Sequence, residues 1–458
     1  MNMKLYNSLS KQKEEVIPLR DNEISMYHCG PTVYDHIHIG NLRSFLLGDI
    51  TRRIFEFLGY TTKQVMNITD VGHLVSDGDE GDDKMTKALK REGMEITLEN
   101  MLSVAEKYTQ SFIQDLHTLN IHIPHYLPKA SDHIQEDIDI IQKLEVRGFT
   151  YQTSDGIYFR TSHMPSYGAL GGIGDQGTSR IHVNSEKEHP SDFALWKFDE
   201  KHGWASPWGQ GFPGWHIECS GMGMKYLGEQ FDIHTGGSDL MSIHHNNEIA
   251  QSECATGCSP YVSYWLHGGM LNMKGAKLSK STGGNITLAT LNEQGIDPLA
   301  YRYLCLQSHY RSPMNFSFEI LSQAQEGYKK IVNRVKDLAS ISPSEPHTDL
   351  LNTFTSAILD DMNVPQALAV FHEALKLEDQ SQMLATIFKM DVVLGLRLSS
   401  VHKTQEDALP ASVIKLLEER KIAREEKNWD SSDAIRKELL DLGFEVRDIN
   451  GDQDIRSI

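Results

Sequence analysis

One stretch, Met26 to Asn41 (MYHCGPTVYDHIHIGN), constrains the fold more than any other. Glu23 to Tyr27, overlapping its start, reads as a short strand. After it, Phe45, Leu46, Ile50, Ile54, Phe55 and Leu58 recur at helical spacing. A strand that passes through a Gly-Pro turn into a helix start leaves backbone N–H groups pointing at an incoming anion. Tyr60 to Ile68 reads as a second strand, rich in β-branched residues and ending in Thr69-Asp70. Strand, turn, helix, strand opens a βαβ unit, so the chain should build an α/β domain on a parallel sheet. Ligands of such a domain sit at the carboxyl edge of the strands.

The rest of the chain extends this pattern and interrupts it. Ser76 to Asp83 is an acidic, glycine-containing loop, and a helical pattern runs from Met85 to Leu119. From Pro124 to Trp208 the character changes. Ala130 to Arg147 reads as a helix, and Thr150 to Arg160 as a hairpin around Ser154-Asp155-Gly156. Glycine and charge dominate the remainder, as expected of an insertion. The α/β pattern returns at Gly214 to Cys219, followed by a strand at Phe231 to His234, a Gly-Gly-Ser-Asp turn, a helix through Glu253 and a strand at Tyr261 to Met270. A polar loop, Asn272 to Asn285, holds Lys277-Leu278-Ser279-Lys280-Ser281. Bundle helices are predicted at Leu321–Leu338, Leu350–Asp361, Pro365–Leu375 and Met383–Leu398. A polar link, Val401 to Glu406, leads to helices at Ala411–Lys427 and Ser431–Leu442 and a strand at Phe444–Asp448.

Composition narrows the function. A net charge of −19 argues against a general nucleic-acid binder, although local basic patches escape that argument. The five cysteines are an odd number in a chain whose first residues lack a signal-peptide core, which disfavours a disulfide framework. No apolar run reaches the roughly 20 residues of a membrane span, so a soluble, cytoplasmic protein with no membrane partner is expected.

Two constellations carry chemistry. His244 and Glu248, at i and i+4, share a helix face and can grip one metal together. Cys219 lies near the start of the preceding helix, and the sheet would bring in Cys29 from the first half. Together these donors make a zinc site of two thiols, an imidazole and a carboxylate. The spacing leaves His245 open as an alternative donor, and Cys254-x3-Cys258 as a rival pair. The second constellation is His38-Ile39-Gly40-Asn41 at the helix start together with Lys277 and Lys280. Imidazole stabilises charge developing on phosphate, Gly40 admits a nucleotide close to the backbone, and the lysines neutralise a triphosphate.

With these residues in place, the chain resembles the cysteinyl-tRNA synthetase family of class I aminoacyl-tRNA synthetases. His38 to Asn41 is similar to their HIGH signature and Lys277 to Ser281 to KMSKS. The stretches NITDVGH, DEGDDKM, DFALWK, SPWGQGFPGWHIECS, DIHTGGSDL, HHNNEIAQSE, HYRSPMNFS and DDMNVPQALAV carry the resemblance from Leu5 to Asp452. It implies a Rossmann-like parallel-sheet catalytic domain split by an insertion, then a helical bundle and a small C-terminal anticodon-binding domain. The implied segments are 1–123 and 208–271 for the two catalytic halves, 124–207 for the insertion, 272–320 for the lysine loop and stem-contact region, 321–400 for the bundle and 401–458 for the tail.

The resemblance further implies one Zn2+ per chain on Cys29, Cys219, His244 and Glu248. It places Thr69, Trp215 and His234 around the cysteine substrate, Asp239 and Gly40 at ATP, and Lys280 on the phosphates, with His38, Asn41 and Lys277 as the other catalytic groups. Two departures stand out. Asn41 replaces the second histidine and cannot carry charge. Leu278 replaces methionine at similar volume. The implied reaction is ligation of L-cysteine to tRNA(Cys) through cysteinyl-adenylate, using ATP with Mg2+, by a monomer. Lys415, Arg420, Lys421, Arg424, Lys427, Arg436 and Lys437 are candidates for a tRNA-facing surface, with Trp429 and Phe444 for base stacking. A salt-bridged helix surface explains the same charges equally well. A rival ligase joining activated cysteine to an amino sugar would share both sites but have no use for the tail from Ala411 onward.

Overall fold

The computed structural model describes residues 2–71, 84–171, 186–272, 286–406, 411–425, 428–449 and 452–457. Lys277 and Lys280 lie outside them. The chain divides into two compact units, residues 1–333 with 342–398, and residues 334–341 with 399–458.

The first unit begins with an antiparallel hairpin, β1 (Lys4–Asn7) and β2 (Gln12–Glu15). Next come β3 (Glu23–His28), α1 (Ile39–Phe57) and β4 (Thr61–Met66), the expected βαβ opening, with β3 and β4 parallel. The predicted helix over Met85–Leu119 is two helices, α2 (Lys84–Glu92) and α3 (Leu98–Thr118). Gly93 follows α2 at φ +70°, and the Thr97 side chain caps α3 by accepting from the Asn100 N–H. Ala130–Asp132 forms only a 3-10 turn, and α4 (Ile134–Val146) begins after it.

The insertion holds more order than its composition suggested. The expected hairpin, β5 (Thr150–Thr153) and β6 (Gly156–Phe159), is extended by β7 (Phe193–Phe198) and β8 (Gly211–Pro213) into a four-stranded antiparallel sheet. The first four residues of β7 are all buried, so it lacks the alternation that marks a half-exposed strand.

Then follow α5 (Trp215–Leu227), β9 (Phe231–Gly237), α6 (His244–Thr256) and β10 (Val262–Gly268). These complete a four-stranded sheet in the order β10-β9-β3-β4, its paired strands all parallel. Alternate residues of β3 face opposite layers. His28 packs on Phe45 and Gly48 of α1, whereas Tyr27 packs on Phe231, His234 and Gly223 of α5. Burial on both faces explains why Ile24 to His28 are all inaccessible. The sheet's carboxyl edge therefore lies between α1 and the α5–α6 layer.

Beyond the sheet, β11 (Leu271–Asn272) pairs with β12 (Met314–Asn315), and α7 (Leu288–Glu293) and α8 (Pro298–Leu306) lie between them in sequence. The bundle helices are α9 (Phe318–Lys336), α10 (Thr348–Leu359), α11 (Val364–Ala374) and α12 (Gln380–Leu394). The expected polar link at Val401–Glu406 is instead part of a helix, α13 (Leu398–Glu406).

The second unit contains α14 (Ala411–Glu425), α15 (Trp429–Asp441) and a hairpin of β13 (Phe444–Ile449) with β14 (Asp452–Ser457); the last strand was not anticipated. Its core is small: Val413, Leu439 and Val446 are buried, and Phe444 packs against them. Phe444 keeps part of its ring exposed there. Arg420 is also buried, so it leaves the basic surface, whereas Trp429 remains 57% exposed. Lys427 lies outside the described residues. Among the described residues, no helix is long and apolar enough to cross a membrane.

Candidate active site

Sheet geometry brings four distant donors together. Cys29 follows the last residue of β3, Cys219 sits in the second turn of α5, and His244 and Glu248 share one face of α6. Their Sγ, Sγ, imidazole nitrogen and carboxylate oxygen all lie within 4.8 Å of one another, and all four residues are buried. Nε2 of His244 is buried without a hydrogen-bond partner, although Glu248 Oε1 is 3.0 Å away. Two donor atoms held close without a hydrogen bond are what a shared metal would satisfy. Two thiols, an imidazole and a carboxylate are a zinc donor set, so these residues fit the ion. Burial would push the Glu248 carboxyl up, but His234 and His244 outweigh it and hold it down to about 2. A hydrogen bond from the Cys29 thiol holds Cys219 down to about 6, against the effect of burial. Without an ion the protons sit on the other two donors: burial pushes the Cys29 thiol up, and His244, against the effect of burial, is raised to about 10 by Cys219 and Glu248.

His245 Nε2 lies 3.3 Å from Cys29 Sγ, and Cys29, His234, His245 and Glu248 form a second possible donor set. But His234 Nε2 is bonded to Glu248 Oε2 at 3.0 Å, and His245 Nδ1 to His267 Nε2 at 2.7 Å. These rings form a packed layer beneath the quartet, with His234 stacked on Trp265 at 4.6 Å. Their bonds to Glu248 and Cys29 couple this layer directly to the quartet. Of the three residues expected around the amino acid, Trp215 lines the open cavity. Thr69 and His234 are fully buried behind it, Thr69 donating to Glu218 Oε2. Of this layer the sequence singles out His234 and His245 but not His267, whose only signal is the density of histidine around Phe231 to His267.

A cavity of about 420 Å3 opens beside the quartet. Cys29, His38, Gly40, Asn41, Trp215 and Asp239 all contribute to its wall. His38 is the N-cap of α1, where its Nδ1 accepts the Asn41 N–H at 3.3 Å. An accepting Nδ1 places the ring proton on Nε2 in the neutral form. Burial lowers the His38 pKa although Asp239 opposes the shift, so the ring is a neutral donor at the positive end of a helix. The turn is pinned from residues just before α7 and within α8. Ile39 N–H donates to Ile286 O at 2.8 Å, and Tyr301 Oη donates to Ile39 O at 2.7 Å. Gly40 faces the His38 ring, where a Cβ would lie 3.0 Å from it. Asp239 is exposed across the cavity, just beyond β9.

Comparison with known proteins points the same way. Residues 15–326 match the family described as tRNA synthetases class I (C) catalytic domain, and residues 406–456 match the cysteinyl-tRNA ligase anticodon binding domain. The chain is 43% identical to cysteine--tRNA ligase 1 of Burkholderia lata, over 98% of this chain and 95% of that protein. It is 41% identical to the cysteine--tRNA ligase of Treponema denticola, over 98% and 99%. In fold it is similar to Mycobacterium tuberculosis methionyl-tRNA synthetase in complex with methionyl-adenylate, with a TM-score of 0.56 at 14% identity, covering 86% of this chain and 93% of that one.

Proposed function

The chain belongs to the cysteinyl-tRNA synthetase family, and on that premise we infer that it is an ATP-dependent cysteine--tRNA ligase, its four buried donors recognising the substrate thiol. The close approach of Cys29, Cys219, His244 and Glu248 is the single observation that carries the thiol reading. A pocket selecting by shape separates cysteine from serine poorly, since the two differ by one atom. Zinc held by these residues would supply a soft acceptor for the substrate sulfur, which a hydroxyl satisfies badly.

This chain's own groups account for the rest. Trp215 walls the cavity beside His244, ring centroids 4.5 Å apart, and encloses the amino acid. The cysteine carboxylate attacks the α-phosphate of ATP-Mg2+, releasing pyrophosphate and leaving cysteinyl-adenylate. His38 Nε2–H and the N-terminus of α1 stabilise the negative charge developing there. Asn41, exposed beside them, donates a hydrogen bond without charge, so the helix end and His38 carry more of the electrostatic stabilisation. Asp239 accepts from the ribose, and Lys277 and Lys280 neutralise the leaving pyrophosphate. The terminal adenosine hydroxyl of tRNA(Cys) then attacks the activated carbonyl and expels AMP. Positioning and fixed charge supply the rate in both steps. We assign residues 1–123 and 208–271 to the catalytic halves and 401–458 to tRNA binding, and place the reaction in the cytoplasm with a single chain as the working unit.

Cysteine-dependent ATP–pyrophosphate exchange tests this reading, with zinc measured on the same sample and serine as competitor. The expected result is one zinc per chain and a preference for cysteine above about 10^4, the range reached where a site engages the distinguishing atom directly. Equal activation of serine would overturn the thiol reading. Removing residues 411–458 is expected to abolish aminoacylation of tRNA while exchange stays within a few-fold. Cysteine activation by the full chain with no transfer to tRNA would instead favour a ligase acting on a small acceptor.

A further inference from the structure

Asp361 ends a chain of contacts that runs to the cavity wall. It lies between α10 and α11, beside the exposed acid Asp360. Yet its side chain is fully buried and every oxygen is used. Oδ1 accepts from the Tyr6 N–H at 2.8 Å and from Tyr310 Oη at 2.7 Å. Oδ2 accepts both Nε and Nη2 of Arg311, at 2.9 and 2.6 Å. The Arg311 guanidinium also lies 4.2 Å above the Tyr6 ring.

The segment grasped in this way supports the cavity. Tyr310 O accepts the Gly269 N–H at 2.7 Å, and Met270 O accepts the Met314 N–H at 2.9 Å. Arg43 joins the two strips by donating to Met270 O at 2.9 Å and Ser312 O at 2.6 Å. The strips touch so closely that a Cβ on Gly269 would lie 2.5 Å from the Ser312 carbonyl. Gly269, Met270, Leu271, Ser308 and Tyr310 all line the cavity. The backbone at the anchor is itself unusual. Asp361 and Met362 are consecutive non-glycine residues at φ +58° and +49°. Such conformations persist only where the surroundings impose them, and they gather near functional sites. Met362 is fully buried and lines the same cavity.

We propose that Asp361 is a positioning residue for the nucleotide: through Tyr310 and Arg311 it fixes the Gly269–Leu271 wall against which ATP binds. This rests on the reading of the cavity as the ATP site, which wild-type exchange activity tests independently. Asp361 touches no substrate, and the four metal-binding side chains lie on other elements. Its loss therefore affects ATP and spares cysteine.

The test is Asp361→Asn, which keeps the shape and tolerates the left-handed backbone but offers an NH2 group where Arg311 needs an acceptor. In cysteine-dependent ATP–pyrophosphate exchange, KM for ATP should rise at least tenfold. KM for cysteine and zinc content should stay within twofold. Arg311→Gln, at a half-exposed position, should reproduce the same selective change and carries the test if Asp361→Asn does not fold. Arg311→Lys should fall between Arg311→Gln and wild type, because one of the two contacts can be remade. Lys13→Ala, which breaks the exposed pair with neighbouring Asp360, should change neither KM. An ATP KM within twofold of wild type, or a parallel rise in both KM values, would overturn the proposal.

Discussion

Cys219→Ser is expected to lose bound zinc and, with it, most of the ability to activate cysteine. The position is 2% exposed and sits among donors that approach within 4.8 Å. A serine oxygen is a poor zinc ligand at neutral pH, because the hydroxyl does not ionise as the thiol does. Loss of an outer group of such a site commonly costs 10- to 100-fold, and a direct ligand should cost at least the upper end, about 10^2-fold in kcat/KM for cysteine. The fall in selectivity is the sharper readout. With only shape left to read, the preference for cysteine over serine should drop to roughly 10- to 200-fold. Zinc by elemental analysis and exchange kinetics with both amino acids measure the two effects together. A Cys219→Ser protein that keeps one zinc per chain and activates cysteine within a few-fold of wild type would remove the quartet from the mechanism.

That quartet shows what the sequence could and could not supply. Each donor was readable because thiols, imidazoles and carboxylates at one-turn helical spacing are chemically conspicuous. The choice between His244 and His245 was not readable, since adjacent residues differ only in which way the helix turns them. In the structure each ring is bonded through Nδ1, His244 to His216 and His245 to His267, and each turns Nε2 toward the cluster, so both remain in donor sets with Cys29 and Glu248. The βαβ opening was readable from periodicity, because α1 is apolar on one stripe and β3 follows a strand pattern. The hidden elements have physical reasons. β7 is buried without alternation, Gly93 breaks a long apolar pattern into two helices, and the role of Asp361 emerges only once its partners, from residue 6 to residue 311, are folded around it. Burial of Arg420 and packing of the Phe444 ring depend in the same way on a core that only the hairpin completes.

Arg302→Met is expected to produce the largest loss of stability of any single change in the unit formed by residues 1–333 and 342–398. Arg302 is fully buried on α8. Its Nη2 meets Asp49 Oδ2 at 2.7 Å, Nε donates to Leu394 O at 2.7 Å, and Nη1 donates to Leu119 O and Asn120 O at 3.0 Å. One side chain therefore ties α1, α3, α8 and the end of α12 together. Methionine fills much of the volume but supplies no donor, taking the arginine donor from the Leu119 and Leu394 carbonyls and from part of a buried carboxylate, while Asn120 O keeps its bond from Arg53. Breaking a buried pair from one side costs about 3–5 kcal/mol, and the orphaned carbonyls point to the upper half of that range. Asp49 keeps Arg53, whose Nε is 2.8 Å from the same oxygen, so the carboxylate is weakened in its support rather than abandoned.

The same group gives the effect a pH signature. Burial alone would raise the Asp49 pKa, but Arg302, Arg53 and the His122 backbone N–H outweigh it and hold it below the ordinary value. A carboxyl depressed in the folded state contributes stability that is complete above its unfolded pKa of about 3.9 and fades as pH falls through the folded value. Removing Arg302 lets the folded pKa rise toward or past the unfolded one, so this contribution disappears at neutral pH, and the gap between variant and wild type narrows in acid. Urea unfolding followed by the fluorescence of buried Trp196 and Trp265 reads both, at pH 7 and again near pH 4. Replacing both partners, as Arg302→Met with Asp49→Leu, should recover little of the loss, because it leaves the buried Arg53 charge without its carboxylate. A loss below about 1 kcal/mol at pH 7, the value of an exposed ion pair, would mean that water reaches Asp49 and that the junction of α1, α8 and α12 is held by apolar packing alone.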